Sequence, residues 1–243
     1  MIPPARLPSI SAVFPAYNDG GTIPSMILTA LIALRQVTDE YEVIVTDDGS
    51  QDYTSQVLEE MEQRFPELRV IRHPRNRGYG AALRSGFCAA TKEWIFYTDG
   101  DAQYDPLELV KLVEAWGEDV DVVNGYKIAR NDPWSRKVIG RLYHYFVSLV
   151  FGIHLRDVDC DFRLIRRSAL DEVHLESESG AICLEMVKKL QSKGCKFVEV
   201  PVHHYHRQYG GSQFFKFKRV YRVFRQLLGL YWTLVVRPEE YIR

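Results

Sequence analysis

Short runs of β-branched and aromatic residues alternate with longer stretches of helical periodicity from Ser9 onward. That alternation is the pattern of βαβ units wound into one mostly parallel sheet, and it rules out an all-helical bundle or an antiparallel sandwich. Ser9–Phe14, Glu42–Thr46, Arg69–Arg72 and Trp94–Thr98 are the first predicted strands. Between them, Ile23–Val37, Gln51–Phe65 and Gly80–Thr91 repeat apolar residues at helical spacing. Asp119–Asn124, Phe162–Ile165 and Lys196–Val202 continue the strands, and Ser135–Phe151 and Ser179–Lys193 the helices. The expected fold is α/β and Rossmann-like, with helices flanking the sheet.

With 46% hydrophobic residues among 243, such a chain fills one core without help from disulfides. Cys88, Cys160, Cys183 and Cys195 form no C-x-x-C motif and are expected to be reduced and mostly buried. Lys and Arg number 31 against 32 Asp and Glu, so no global field recruits nucleic acid. Met1–Pro8 lacks the apolar run of a secretory signal, which makes the cytoplasm the expected compartment. No apolar stretch reaches the roughly 20 residues of a spanning helix.

Open α/β sheets bind ligands beyond the carboxyl ends of their strands. Here those positions are acidic: Pro15-Ala16-Tyr17-Asn18-Asp19 after the first strand, Asp47-Asp48-Gly49-Ser50 after the second, Asp99-Gly100-Asp101-Ala102-Gln103 after the fourth. Each alone has the composition of a turn or a helix N-cap. Three on one sheet edge point to a ligand. Asp99 and Asp101, one residue apart, can share a hard divalent cation with Gln103 as a third oxygen donor, and Mg2+ or Mn2+ favours such ligands. A cation of this kind stabilises charge building on a departing diphosphate. No G-x-x-x-x-G-K-[ST] loop competes for the phosphate role. Gly78-Tyr79-Gly80 imitates a dinucleotide fingerprint but follows the third strand, so close packing or a phosphate-facing helix terminus is the expected use. His203, His204 and His206 read as a strand end rather than a zinc site, because neighbours on an extended chain face opposite ways.

The ordered series resembles the family 2 glycosyltransferases of GT-A fold, and within them the polyprenyl-phosphate sugar transferases. It runs from Phe14-Pro15-Ala16-Tyr17-Asn18-Asp19 through Val45-Thr46-Asp47-Asp48-Gly49-Ser50, Asn76-Arg77-Gly78-Tyr79-Gly80 and Asp99-Gly100-Asp101-Ala102-Gln103. Asp157-Val158-Asp159-Cys160-Asp161-Phe162-Arg163 and Arg207-Gln208-Tyr209-Gly210-Gly211-Ser212-Gln213 complete it. The resemblance implies that Pro15, Tyr17, Asp19, Asp47 and Asp48 frame a nucleotide diphosphate sugar. It further implies that Asp99, Gly100, Asp101 and Gln103 form the metal-bearing loop, that Arg207 and Ser212 approach the diphosphate, and that transfer inverts the anomeric centre. Asp161 stands where Gly is common in the family, and alternation predicts Asp157, Asp159 and Asp161 on one strand face, their repulsion to be offset by a metal, by water, or by neighbours such as Arg156 and Arg163.

A polyprenyl phosphate acceptor is already anionic at neutral pH, since a phosphate monoester has a second pKa of about 6. It therefore needs cations more than a strong base. Lys127 and Arg136 are the residues expected to meet it, with Asp157 orienting it or acting as base. The implied organisation is a tail over 1–8, a catalytic domain over 9–213, an amphipathic helix over 214–236 and a tail over 237–243. In that helix Phe217, Val220, Tyr221, Phe224, Leu227, Leu228, Tyr231, Leu234 and Val235 make one apolar stripe beside Lys216, Arg219 and Arg222. His203–Arg243 carries two Lys and six Arg against two Glu, a composition suited to an anionic membrane surface on the cytoplasmic face. Reversible attachment or a partner membrane protein would then bring the enzyme to its lipid. The alternatives are a transferase acting on a soluble or glycan hydroxyl, and a nucleotide-sugar-binding protein without turnover.

Overall fold

The computed structural model describes residues 6–128, 145–206 and 225–236. Seven strands form one sheet in the order β3-β2-β1-β4-β6-β5-β7. β1 (Ser9–Ala16), β2 (Glu40–Asp47), β3 (Leu68–Arg72) and β4 (Trp94–Thr98) run parallel, linked by α1 (Ile23–Val37), α2 (Thr54–Arg64) and α3 (Tyr79–Ala89). β6 (Phe162–Arg166) lies antiparallel between β4 and β5 (Val122–Ile128), and β7 (Phe197–His203) pairs parallel with β5. The expected mostly parallel sheet is therefore present.

The sheet is covered on both faces, which explains why its central strands read as continuous apolar runs. Ile10, Ala12 and Phe14 of β1 join α1, α2 and the helix α4 (Leu109–Glu114) in one core cluster. Val13, Ile44, Ile95 and Tyr97 face the other way, against α3, α6 (Arg167–Asp171) and α7 (Ala181–Ser192). The alternation along β1 thus assigns successive residues to opposite layers. α1 follows from its sequence: Ile23, Met26, Ile27, Ala30, Leu31 and Leu34 make the buried stripe, and Pro24 occupies the first turn, where no backbone donor is lost.

A third cluster joins the helical residues 145–151 (α5) to α7 and to the helical residues 225–231 (α8). Phe151 meets Tyr231 edge to face at 6.1 Å. The described part of the tail stripe is divided. Leu227 and Leu234 are buried, whereas Leu228 and Tyr231 are exposed, as are Trp232 and Val236 beside the stripe and Tyr145, Phe146 and Leu149 on α5. The rest of the stripe and its basic residues Lys216, Arg219 and Arg222 lie outside the described residues. Among the described residues no helix is long and apolar enough to cross a membrane.

Two further differences concern local structure. Residues 157–161 form a turn that leads into β6 at Phe162, not the strand face expected from alternation. The short helix over 106–114 was not anticipated, since Pro106 followed by one turn of mixed residues offers little periodicity; the Asp105 carboxylate caps it through Leu107 N at 2.9 Å.

Candidate active site

The strand order reverses at β1, which lies between β2 and β4, so the crevice above their carboxyl ends is the topological switch point of the sheet. All three acidic segments converge there. Pro15 lies opposite Thr46, one residue before the end of β1, and beyond it the Asp19 carboxylate accepts the Tyr17 N–H at 3.0 Å. Asn18 adopts a left-handed conformation with φ 57. Its backbone N–H donates to Ser50 Oγ at 3.0 Å and its Oδ1 accepts from Gln51 N at 2.8 Å, lacing the first segment to the second.

Asp47 and Asp48 are both buried. Asp47 accepts the Ser50 N–H at 3.0 Å and the Ser55 hydroxyl. Asp48 gathers a larger set: Arg77 N at 2.9 Å and His73 Nδ1 at 2.6 Å on Oδ1, and Gly78 N at 2.8 Å on Oδ2. Its role in this fold is thus to fix the turn before α3. His73 went unnoticed in the sequence, although a polar residue just past a strand was the signal used elsewhere.

Gly78 and Gly80 enter α3 against the backbone of residues 177–178, where a Cβ on either would overlap a carbonyl oxygen, of Glu178 and Ser177 respectively. The close-packing reading of this motif holds. Tyr79 between them donates its hydroxyl to Asp99 Oδ1 at 2.7 Å. The opposing backbone is itself anchored from α7, where the buried Glu185 carboxylate accepts from Glu176 N at 2.9 Å and Ser177 N at 2.8 Å and pairs with Lys189 at 2.9 Å.

Burial, then the charges of Asp161 and Asp101, hold the Asp99 carboxyl well above the ordinary carboxylate range. Gly100 next to it admits no side chain, since a Cβ would lie 2.9 Å from Ile23 Cδ1 and 3.1 Å from the Pro15 carbonyl. Asp101 Oδ1 accepts from Gln103 N at 3.1 Å across Ala102, whose φ is 60. A divalent cation fits this donor set: hard oxygens, crowded closely enough that Asp161 and Asp101 help raise the Asp99 carboxyl. Asp99 and Asp101 would hold it. Gln103 is turned toward β7, its Nε2 donating to the Tyr205 carbonyl at 3.2 Å while Tyr205 N donates back to the Gln103 carbonyl at 2.8 Å. Among the described residues no three His, Cys, Asp or Glu side chains converge as a complete protein cage.

On the β5–β6 side the expected residues Lys127 and Asp157 come together. Lys127 Nζ donates to the Asp159 carbonyl at 2.7 Å and lies 3.6 Å from Asp157 Oδ2. Burial works to lower the Lys127 pKa, yet Asp157 and the neighbouring Cys160, Asp161 and Asp159 hold it above the ordinary value. The Asp159 carboxyl, only partly shielded from solvent by area, is raised to about 6 by desolvation and by Asp157 and Asp161, against the pull of Lys127. The turn over 157–161 separates the three acids expected on one face: Asp161 Oδ1 accepts from Cys183 Sγ at 2.9 Å on the α7 side.

Lys127 lies beside Asp157, and Arg163 counters the Asp159 charge as expected. Arg156 lies over the Tyr126 ring at 4.8 Å. Arg163 is fully buried, bonded to Tyr97 OH at 2.7 Å and to Asn124 Oδ1 and the Val158 carbonyl, so it pins the turn from beneath. His203 and His204 diverge as expected, His203 to Glu108 at 2.5 Å and His204 against the Tyr104 ring at 5.1 Å. Arg136, Arg207 and Ser212 lie outside the described residues.

Comparison with known proteins places this geometry. Residues 11–174 match the model of a family described as Glycosyl transferase family 2. The chain is 29% identical over 222 residues to an undecaprenyl-phosphate 4-deoxy-4-formamido-L-arabinose transferase of Sodalis glossinidius, spanning 90% of this chain and 67% of the relative. Its fold is similar to that of glucosyl-3-phosphoglycerate synthase from Mycobacterium tuberculosis. The complex of that enzyme with phosphoglyceric acid superposes with a TM-score of 0.71 at 18% identity, covering 93% of this chain and 79% of the other. Its complex with Mn2+, uridine diphosphate and glucosyl-3-phosphoglycerate gives 0.70 at the same identity and coverage. The expected GT-A architecture is thereby established.

Proposed function

The chain belongs to glycosyl transferase family 2, and from that premise we propose that it moves a sugar from a nucleotide diphosphate sugar to a polyprenyl phosphate, with inversion, at the cytoplasmic face of a membrane. The observation that carries the donor half is the convergence of Asp19, Asp48, Asp99 and Asp101 on one switch-point crevice. Mg2+ or Mn2+ bound by Asp99 and Asp101 would supply electrostatic stabilisation of the departing diphosphate. Tyr79 holds Asp99 in place, and Asp48 with Asn18 ties the surrounding loops to one another.

The acceptor phosphate attacks the anomeric carbon from the β5–β6 side, where Lys127 and Asp157 lie together. Lys127 supplies positive charge there and Asp157 sets its position, with Arg136 as a further phosphate contact; Arg207 and Ser212 approach the leaving group. The polyprenyl reading draws support from the undecaprenyl-phosphate relative and from the apolar residues Tyr145, Phe146, Leu149, Leu228 and Trp232, exposed on two helices that pack together. Such a face suits a helix pair resting in the headgroup region beside a lipid-linked acceptor. A soluble phosphorylated acceptor is the competing reading, favoured by the phosphoglyceric acid in the structurally similar synthase.

A screen of nucleotide sugars with undecaprenyl phosphate or with 3-phosphoglycerate tests the choice. Radiolabel extracted into organic solvent is expected with the lipid, together with protein that cosediments with anionic vesicles less well as salt rises. Label confined to the aqueous product, with no vesicle binding at low salt, would replace the lipid by a soluble acceptor.

A further inference from the structure

Asp48 receives its shortest contact from a residue outside the acidic segments. His73, just past β3, places Nδ1 2.6 Å from Asp48 Oδ1 and Nε2 2.9 Å from Ser85 Oγ on α3. Both partners of the first contact are nearly closed to solvent, at 5% exposure for the His73 side chain and 3% for Asp48. Asp48 also accepts Arg77 N and Gly78 N, so the carboxylate connects the end of β2, the end of β3 and the turn that enters α3. A carboxylate accepts only, which puts the ring proton of a neutral His73 on Nδ1 and leaves Nε2 to accept from the Ser85 hydroxyl.

The order Asp–His–Ser is also that of a nucleophilic triad. Ser85 lies inside α3, however, where backbone N–H groups are committed to carbonyls one turn back and none is left to stabilise an oxyanion. The chemistry runs in the other direction, from Ser85 through His73 to Asp48.

We propose that His73 is a positioning residue for the donor nucleotide: held in one tautomer by Ser85, it fixes the Asp48 carboxylate and through it the Arg77–Gly78 turn that borders the nucleotide side of the crevice. This inference rests on the donor reading above. Gly78 has φ 100, and its close approach to Glu178 leaves the turn a single seating, so a rotation of Asp48 passes directly into the loop.

The test uses the full chain and calorimetric titration with UDP, GDP, CDP and dTDP in Mg2+, taking the tightest binder of the wild type as probe. His73→Leu is expected to weaken that probe at least about tenfold, because a hydrogen bond to a charged, buried acceptor is lost. His73→Asn, whose Nδ2–H can stand where the ring Nδ1–H stood, should recover affinity to within about threefold of wild type. Ser85→Ala should fall between, with a shift of the His73 15N resonances away from the Nδ1–H tautomer seen in the wild type. Unchanged affinity in His73→Leu, or a loss that His73→Asn does not repair, overturns the proposal. If His73→Leu does not fold, wild-type affinity and an unaltered tautomer in Ser85→Ala overturn it instead. A wild type that binds none of the four nucleotides fails earlier, at the donor reading itself, and takes the inference with it.

Discussion

The two sides of the crevice handle carboxylates in opposite ways. On the β1–β2 side, Asp47 and Asp48 are buried yet hydrogen-bonded, Asp47 by Ser50 N and the Ser55 hydroxyl and Asp48 by Arg77 N and Gly78 N, so donors of the surrounding chain stabilise both. On the β4–β6 side, Asp161 acts on both Asp99 and Asp159, and burial with these neighbouring charges pushes Asp99 and Asp159 toward the protonated form. The first arrangement builds a rigid frame. The second stores negative charge that is relieved by Lys127, by protons, or by a cation arriving with substrate. On the proposed function, framing and chemistry are thus divided between the two sides of the crevice.

The strongest way to break that division is to remove the support under the charged side. Arg163→Leu leaves Tyr97, Asn124 and the Val158 carbonyl without their buried donor. It should cost about 3–5 kcal/mol in urea unfolding, since these buried acceptors together lose a charged donor at about 1–3 kcal/mol each. A loss below about 1 kcal/mol would mean that the 157–161 turn holds itself.

Next in size is Asp99→Asn, expected to lower turnover about 10²–10³-fold while leaving thermal stability at neutral pH equal to or above wild type, since a destabilised buried charge is gone. Turnover that survives both this change and EDTA would remove the cation from the scheme. An Asp99→Asn variant that unfolds instead would put the residue with the frame.

The smallest effect sharpens the contrast through pH. The Asp159 carboxyl is raised from 3.8 to about 6 in the fold. The folded chain therefore binds a proton that the unfolded chain releases, and stability is fully present below the unfolded value and lost as pH rises through about 6. Asp159→Asn should accordingly raise stability by about 1 kcal/mol at pH 8, a figure reduced for the partial solvent access of the side chain, and by almost nothing at pH 4. Melting curves at the two pH values check it; an equal gain at both would point to packing.

The parallel half was legible because each of its signals is local. Periodicity placed α1 at Ile23–Val37 residue for residue, and polar residues after strands marked the crevice. What stayed hidden depends on partners distant in the chain. Nothing near Phe162 tells that β6 runs against β4, and nothing near His73 tells that Ser85 and Asp48 close on it from two elements. The Asp157–Asp161 series reads as a strand by alternation, but the buried Arg163 draws the Val158 carbonyl inward and turns the chain. In the tail the stripe was visible, whereas its division between buried Leu227 and Leu234 and exposed Leu228 and Tyr231 depends on where α5 and α7 stand.

Ala102 carries a consequence for engineering. A left-handed alanine costs about 1–2 kcal/mol that glycine or asparagine would largely avoid, so position 102 offers an easy route to a more heat-resistant protein. The same strain holds Asp101 and Gln103 in a short turn, one tied to the other and the second to Tyr205. Asparagine would keep that turn, whereas glycine would also loosen the loop that presents Asp101 beside Asp99. On the proposed function, robustness gained through glycine would come out of catalytic readiness, and screens selecting for heat resistance alone would not separate the two substitutions.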